Sequence, residues 1–179
     1  DAAPFSTDIS AFGVFVETMA IKYPQYVLFK TTNGAATHTT FTFSEADYAL
    51  VLNQAANGKL TAKWMWTDAA LNLRTCETSG LIEPNVAHYI TCVMDKVSGN
   101  VTVTVYTVSI SVPTAPVLTS LGSATTALGA GSANVFPRDN AGFFLIGSWR
   151  KLSPSSIEDA TTPDASFLGK IQDLRIYNA

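Results

Sequence analysis

Apolar and polar side chains alternate most strictly over residues 86–112 (VAHYITCVMDKVSGNVTVTVYTVSISV). His88, Ile90, Cys92 and Met94 share one parity, with Tyr89, Thr91 and Val93 on the other, which predicts a half-buried strand. Asp95 to Asn100 reads as a tight turn, because Gly99 and Asn100 tolerate positive φ. Val101, Val103 and Val105 then alternate with Thr102 and Thr104, completing a hairpin. Beyond Tyr106 the apolar parity switches to Val108, Ile110 and Val112, which predicts a bulge or a strand break near Tyr106.

The same period runs through most of the chain. Strands are expected at residues 12–21, 27–30, 37–43, 48–53, 59–67 and 71–78, with turns at Asn33-Gly34 and Asn57-Gly58. Leu60, Ala62, Trp64 and Trp66 fall on one face, opposite Thr61, Lys63 and Met65. In the next strand Leu71 and Leu73 are expected inward, with Asn72, Arg74 and Cys76 outward. Residues 113–138 read as one irregular strand and a long loop, and 142–149 (GFFLIGSW) as strand again. A polar excursion at 151–165, with one helical turn at 155–160, leads to the closing segment 167–179. There Ile171 differs in parity from Leu174 and Ile176, which predicts a second bulge at Gln172-Asp173. So many short strands without a long helix predict an all-β fold, a sandwich or barrel.

Composition narrows the class. A chain of 179 residues, 47% hydrophobic and 14% charged, makes one domain, 1–179, with a proper core. The net charge of −3 offers no electrostatic footprint for nucleic acid, and no apolar run is long enough for a membrane span. A chain beginning at Asp1 without an initiator Met is read as a processed precursor or an excised domain. Cys76 and Cys92 lie on segments expected to be neighbouring strands; a disulfide and a pair of buried thiols both remain open.

Three passages carry a family resemblance: residues 167–178 (FLGKIQDLRIYN), 87–95 (AHYITCVMD) and 143–147 (FFLIG). They resemble the closing strand, the W-H-H-V-A-V-x-Y-D strand and the L-x-I-G strand of the laminin-G-like, pentraxin-like branch of the concanavalin A-like jelly rolls. The resemblance implies a two-sheet antiparallel jelly-roll sandwich, with glycans or surface proteins as ligands at a concave face or at rim loops. Calcium is frequent in the family but not universal. Ala87 replaces the family's Trp, and Gln172 stands where it often has the first Asp of the closing strand. That removes a carboxylate from any calcium site built there.

Candidate chemistry is sparse. His88 is expected as a hydrogen-bonded core histidine, and with His38 alone beside it no histidine metal site is expected. Glu45 and Asp47 invite comparison with the E-x-D-x-E strand of related glucanases, but Ala49 fills the third position, and a solvated loop is the expectation. Trp64 and Trp66 belong to the core by parity, whereas Trp149, followed by Arg150 and Lys151 before a polar loop, is the candidate sugar-stacking platform. Asp139 and Asn140 are the candidate calcium ligands, in a segment that ordinary turn chemistry also explains. Asn100-Val101-Thr102 is an N-glycosylation sequon on the hairpin turn.

Lys63, Met65, Asn72, Arg74, Tyr89, Thr91, Thr102 and Thr104 make up the expected solvent face, and Trp149, Arg150, Tyr89, Arg74, Lys63 and Asn72 are the candidate ligand-binding residues. The expected function is a non-catalytic recognition module on a secreted, cell-surface or virion-surface protein, binding glycan or another surface ligand. The alternatives are a structural domain making protein contacts in a larger assembly and, third, a polysaccharide hydrolase or lyase.

Overall fold

The computed structural model describes residues 9–19, 24–31, 46–67, 73–109, 115–128, 144–147 and 167–178. Ten strands occur among them: β1 (Ile9–Thr18), β2 (Gln25–Thr31), β3 (Ala46–Gln54), β4 (Leu60–Thr67), β5 (Leu73–Glu77), β6 (His88–Asp95), β7 (Asn100–Ser109), β8 (Val117–Ala127), β9 (Phe144–Ile146) and β10 (Gly169–Asn178). They form two five-stranded sheets. Sheet A has the order β10-β1-β6-β7-β8 and sheet B the order β5-β4-β3-β2-β9. Every strand pairing is antiparallel, and the last strand zips onto the first. The expected two-sheet antiparallel sandwich is therefore the fold.

The central hairpin follows its sequence. Burial alternates residue by residue along β6, and Val101, Val103 and Val105 of β7 are wholly buried. The turn closes because Asp95 Oδ1 accepts hydrogen bonds from the amides of Val97 (2.8 Å) and Ser98 (3.1 Å), and Gly99 takes the left-handed φ of 69°.

The inward faces of the two sheets fuse into one core. Phe12, Val14, Val16, Ile90, Cys92 and Met94 of sheet A meet Tyr48, Leu50, Leu52, Leu60, Trp64 and Trp66 of sheet B. Trp64 lies between Phe12, 4.8 Å away by ring centroids, and Tyr48, stacked at 5.4 Å. The Cys76 thiol, inside the sandwich, points from sheet B at the carbonyls of Val101 (3.5 Å) and Ala124 (3.3 Å) in sheet A.

A register slip falls at each expected place, but only the second lies on the expected strand. The β7–β8 register slips between Val105 and Tyr106, with the extra residue, Leu121, on the partner strand rather than on β7. The β1–β10 register slips between Gly13 and Phe15, so that Asp173 and Leu174 together face Val14, and Asp173 sits at φ 51°. An Asp accepts that left-handed conformation more readily than a β-branched residue does.

Three expectations are corrected. In β5 Leu73 is 42% exposed and Cys76 wholly buried, so the inward parity is the even one. Arg74 directly opposes Trp66, and cross-strand partners share a face; Arg74 thus lies on the core side, half-buried at the end of the strand. Second, Met65, expected in solvent, is 5% exposed, and Ala49 and Val51 beside it on the outward side of sheet B are also buried. Third, β7 carries no bulge or break of its own: its pairing with β6 runs unbroken to Thr107 and Val108 stays half-buried, whereas the irregular strand expected within residues 113–138 is present as β8, an eleven-residue strand. The cysteines are free, buried thiols. The expected strand at 37–43, the Asn33-Gly34 turn and the helical turn at 155–160 lie outside the described residues.

Candidate functional site

The expected binding residues divide between the two sides of the sandwich. Lys63 is on the outward face of sheet B, where its ammonium pairs with Glu77 (3.1 Å) and the Thr61 hydroxyl donates to the same carboxylate (2.6 Å). Burial pushes the Glu77 carboxyl up, but the Thr61 hydroxyl and the Lys63 ammonium outweigh it and leave the group below its ordinary value. In the same outward row Tyr26 opposes Val51, and burial pushes its phenol up to about 12. With Ala49, Val51 and Met65 buried, the centre of this face is covered, and Lys63 is committed to a structural ion pair.

Tyr89 faces the other way. It projects from β6 on the outward side of sheet A, at the middle of an aromatic row. Phe15 of β1 lies 4.5 Å from it by ring centroids and Tyr106 of β7 lies 6.3 Å away. The register explains the row: Phe15 is paired with Tyr89, and Tyr89 with Tyr106. Gly13 makes room for it. A Cβ at Gly13 would run into the Tyr89 hydroxyl, so the ring lies across β1 over a bare backbone. Burial raises the Tyr89 phenol, helped by Tyr177 and the Asp173 carboxylate, against an opposing pull from Arg175.

This face is open. Tyr177 is 48% exposed, Arg175 is exposed, and Thr91, Thr102, Thr104 and Tyr106 are partly so. Thr102 and Thr125 join hydroxyls across β7 and β8 at 3.0 Å.

Alongside the row, on its Glu17, Ala87 and Val108 side, lies a groove of about 450 Å³, within the size range of small-ligand sites. Phe15, Glu17, Lys170, Gln172 and Asp173 of β1 and β10 form one wall, Val108 and Pro116 at the β7–β8 end form the other, and Ala87 lies between. The carboxylate of Glu17 is 3.3 Å from the Lys170 ammonium, and Asp173 Oδ1 accepts from Arg175 Nε at 2.7 Å. Sequence reasoning found Tyr89 and the Gln172-Asp173 bulge but missed Phe15, Val108 and the groove itself. The groove joins positions 15, 87, 108, 116 and 172, which only strand order brings together.

His88 is a core histidine. It is 1% exposed, and its Nδ1–H donates to the Val86 carbonyl at 2.9 Å. Burial holds its pKa below the ordinary value, against the opposing effect of that hydrogen bond. Burial likewise pushes the Cys92 thiol well up, with Cys76 nearby adding to it, so this sulfur is no nucleophile at neutral pH.

The remaining expectations fall elsewhere. Trp149, Arg150, Asn72, Asp139, Asn140, His38 and Glu45 lie outside the described residues, and of Asp47 only the strand backbone is described. Among the described residues no group of three or more His, Cys, Asp or Glu converges as a metal site. The closing strand does not fit calcium either: Gln172 offers a neutral amide, and Asp173 is held by a guanidinium. Among the described residues no helix is long and apolar enough to cross a membrane.

No family model and no curated protein matches the chain. Among solved structures it is similar to a native heptameric SAP-like pentraxin from Limulus polyphemus, at TM-score 0.56 and 13% identity, covering 95% of this chain and 64% of that one. A second similar structure is the enzymatically active domain of tailspike protein 2 from bacteriophage CBA120, at TM-score 0.48 and 12% identity, covering 96% of this chain and 22% of that one. The chain thus spans less than two thirds of either. At this identity the likeness to the pentraxin is one of fold: this is a two-sheet jelly-roll sandwich with an open, aromatic-lined outer face.

Proposed function

We propose that the protein is a non-catalytic recognition module that binds glycan on the outward face of sheet A, as part of a secreted, cell-surface or virion-surface protein. The row Phe15–Tyr89–Tyr106 carries this reading. Aromatic rings on an open sheet cover the C–H patches of a pyranose, while flanking polar groups receive its hydroxyls. Lys170, Gln172, Asp173 and Tyr177 supply donors and acceptors within the same neighbourhood. Both groove carboxylates, Glu17 and Asp173, are in ion pairs, an arrangement suited to accepting hydroxyl hydrogen bonds rather than to shuttling protons.

A glycan array probed with wild type and Tyr89→Ala tests the reading. Retention of selected glycans by the wild type, lost in the variant, is expected, with no release of reducing sugar from the bound oligosaccharides. An array with no retained glycan would overturn it.

A second reading, protein contact within a larger assembly, is favoured by β8. This edge strand of sheet A has no charged residue, and Val117, Leu118 and Leu121 are 54%, 40% and 40% exposed. Charge-free edges are open to strand pairing, and sedimentation velocity of the chain alone and with Leu118→Lys reads it directly.

A further inference from the structure

We infer that the groove beside Phe15 is a subsite for the neutral, non-ionised end of a glycan, and that it discriminates against sialylated and sulfated sugars. This rests on the recognition reading above and adds to it a place and a ligand class.

The two walls differ in chemistry. Val108 and Pro116 are aliphatic, so one side of an occupant is met by carbon, while Phe15 adds its ring to the opposite, β1–β10 wall. On the β1–β10 side, Gln172 offers both amide donors and an acceptor, and Asp173 accepts. A pyranose has this division, with C–H groups on one face and hydroxyls around the rim. Its hydroxyls donate and accept alike and need no counter-charge.

The charges point the same way. Two carboxylates, Glu17 and Asp173, line the groove against one ammonium, Lys170. That ammonium already lies 3.3 Å from Glu17, and the guanidinium of Arg175 is 2.7 Å from Asp173. No cation faces the groove without a carboxylate beside it, among the described residues. An anionic sugar entering here would compete with these carboxylates for their partners, in a chain that is itself net negative. A neutral hexose meets no such competition.

The position supports the assignment. Asp173 enters the wall because the β10 bulge places it at φ 51°, out of the regular alternation that would otherwise carry it along the strand. A bulge that re-aims a polar side chain into a groove is a feature of binding edges more than of plain sheet.

The test is titration calorimetry of the purified chain. Its probes are neutral oligosaccharides ending in glucose, galactose, mannose or N-acetylhexosamine, together with sialylated and sulfated counterparts. Wild type is expected to bind a neutral probe at least tenfold more tightly than its charged counterpart. Val108→Arg, which puts a long cation across the groove, and Gln172→Ala are each expected to weaken that binding at least tenfold, with melting temperatures showing that both variants fold. Equal binding of neutral and charged probes overturns the discrimination. Wild-type affinity in both variants overturns the groove while leaving recognition by the aromatic row intact. No binding of any probe overturns both.

Discussion

The hydroxyl of Tyr89 lies over the bare backbone of Gly13, so that a ring from β6 reaches across β1 toward β10. The open face of sheet A depends on this contact. Gly13→Ala is expected to displace the ring, because the clash is with an aromatic held between Phe15 and Tyr106. The expected cost is about 1–3 kcal/mol, the range for overpacking a filled site. Urea unfolding measures it, and glycan retention should fall in the same variant. A variant as stable as the wild type would mean that the ring swings aside freely.

Trp64 is the keystone of the opposite layer, packed between Phe12 and Tyr48 and wholly buried. Trp64→Ala is expected to lower stability by about 3–5 kcal/mol through lost transfer energy and a cavity. Arg74, at the end of the neighbouring strand and half-buried, should cost less on truncation. Chemical denaturation of the two variants side by side checks the order.

His88 makes stability depend on pH. Its folded pKa lies below the ordinary 6.5 because burial disfavours the imidazolium. The unfolded chain then binds the proton more readily, so stability is full above the unfolded pKa and falls as pH drops from about 6.5 toward the folded value. Melting temperatures of wild type and His88→Gln between pH 7.5 and about 5 are expected to converge toward the acid end, relative to their separation at neutral pH. Parallel curves would assign the acid sensitivity to other groups.

Cys76 and Cys92 are buried thiols, and burial pushes Cys92 well above its ordinary pKa. Neither is expected to react with an aromatic disulfide reagent in the folded protein at neutral pH, while both should titrate in denaturant after purification under reducing conditions. Rapid labelling of the native chain would contradict this environment.

The architecture was legible wherever burial has a period of two. The β6–β7 hairpin, the inward parity of β4 and the β10 bulge follow from it, because a strand between core and solvent must alternate. The pattern misled at β5. Hydrophobicity places Leu73 inside, but Leu73 pairs with Thr67, and Cys76 and Arg74, opposite Trp64 and Trp66, turn to the core side instead. That register was recoverable in principle, since two inward Trp residues constrain what lies opposite them. Along β8 the signal was faint because Gly122, Ala124 and Thr126 are small and only partly buried.

The site was less legible than the fold. Parity picks out Tyr89 as outward but groups it with Lys63 and Arg74, which the structure places on the other sheet. Outward parity within one strand cannot say on which side of a two-sheet sandwich a residue emerges. The groove needs more: five separated segments meet there, and Val108 in isolation reads as one more core valine.

The most direct test of sheet A as the recognition surface is a map of amide chemical-shift changes as a neutral oligosaccharide retained on the array is titrated into labelled protein. Changes centred on Phe15, Tyr89, Val108, Gln172 and Asp173 are expected. A map centred on Lys63, Met65 and Glu77 of sheet B, with the Tyr89 neighbourhood silent, would contradict it.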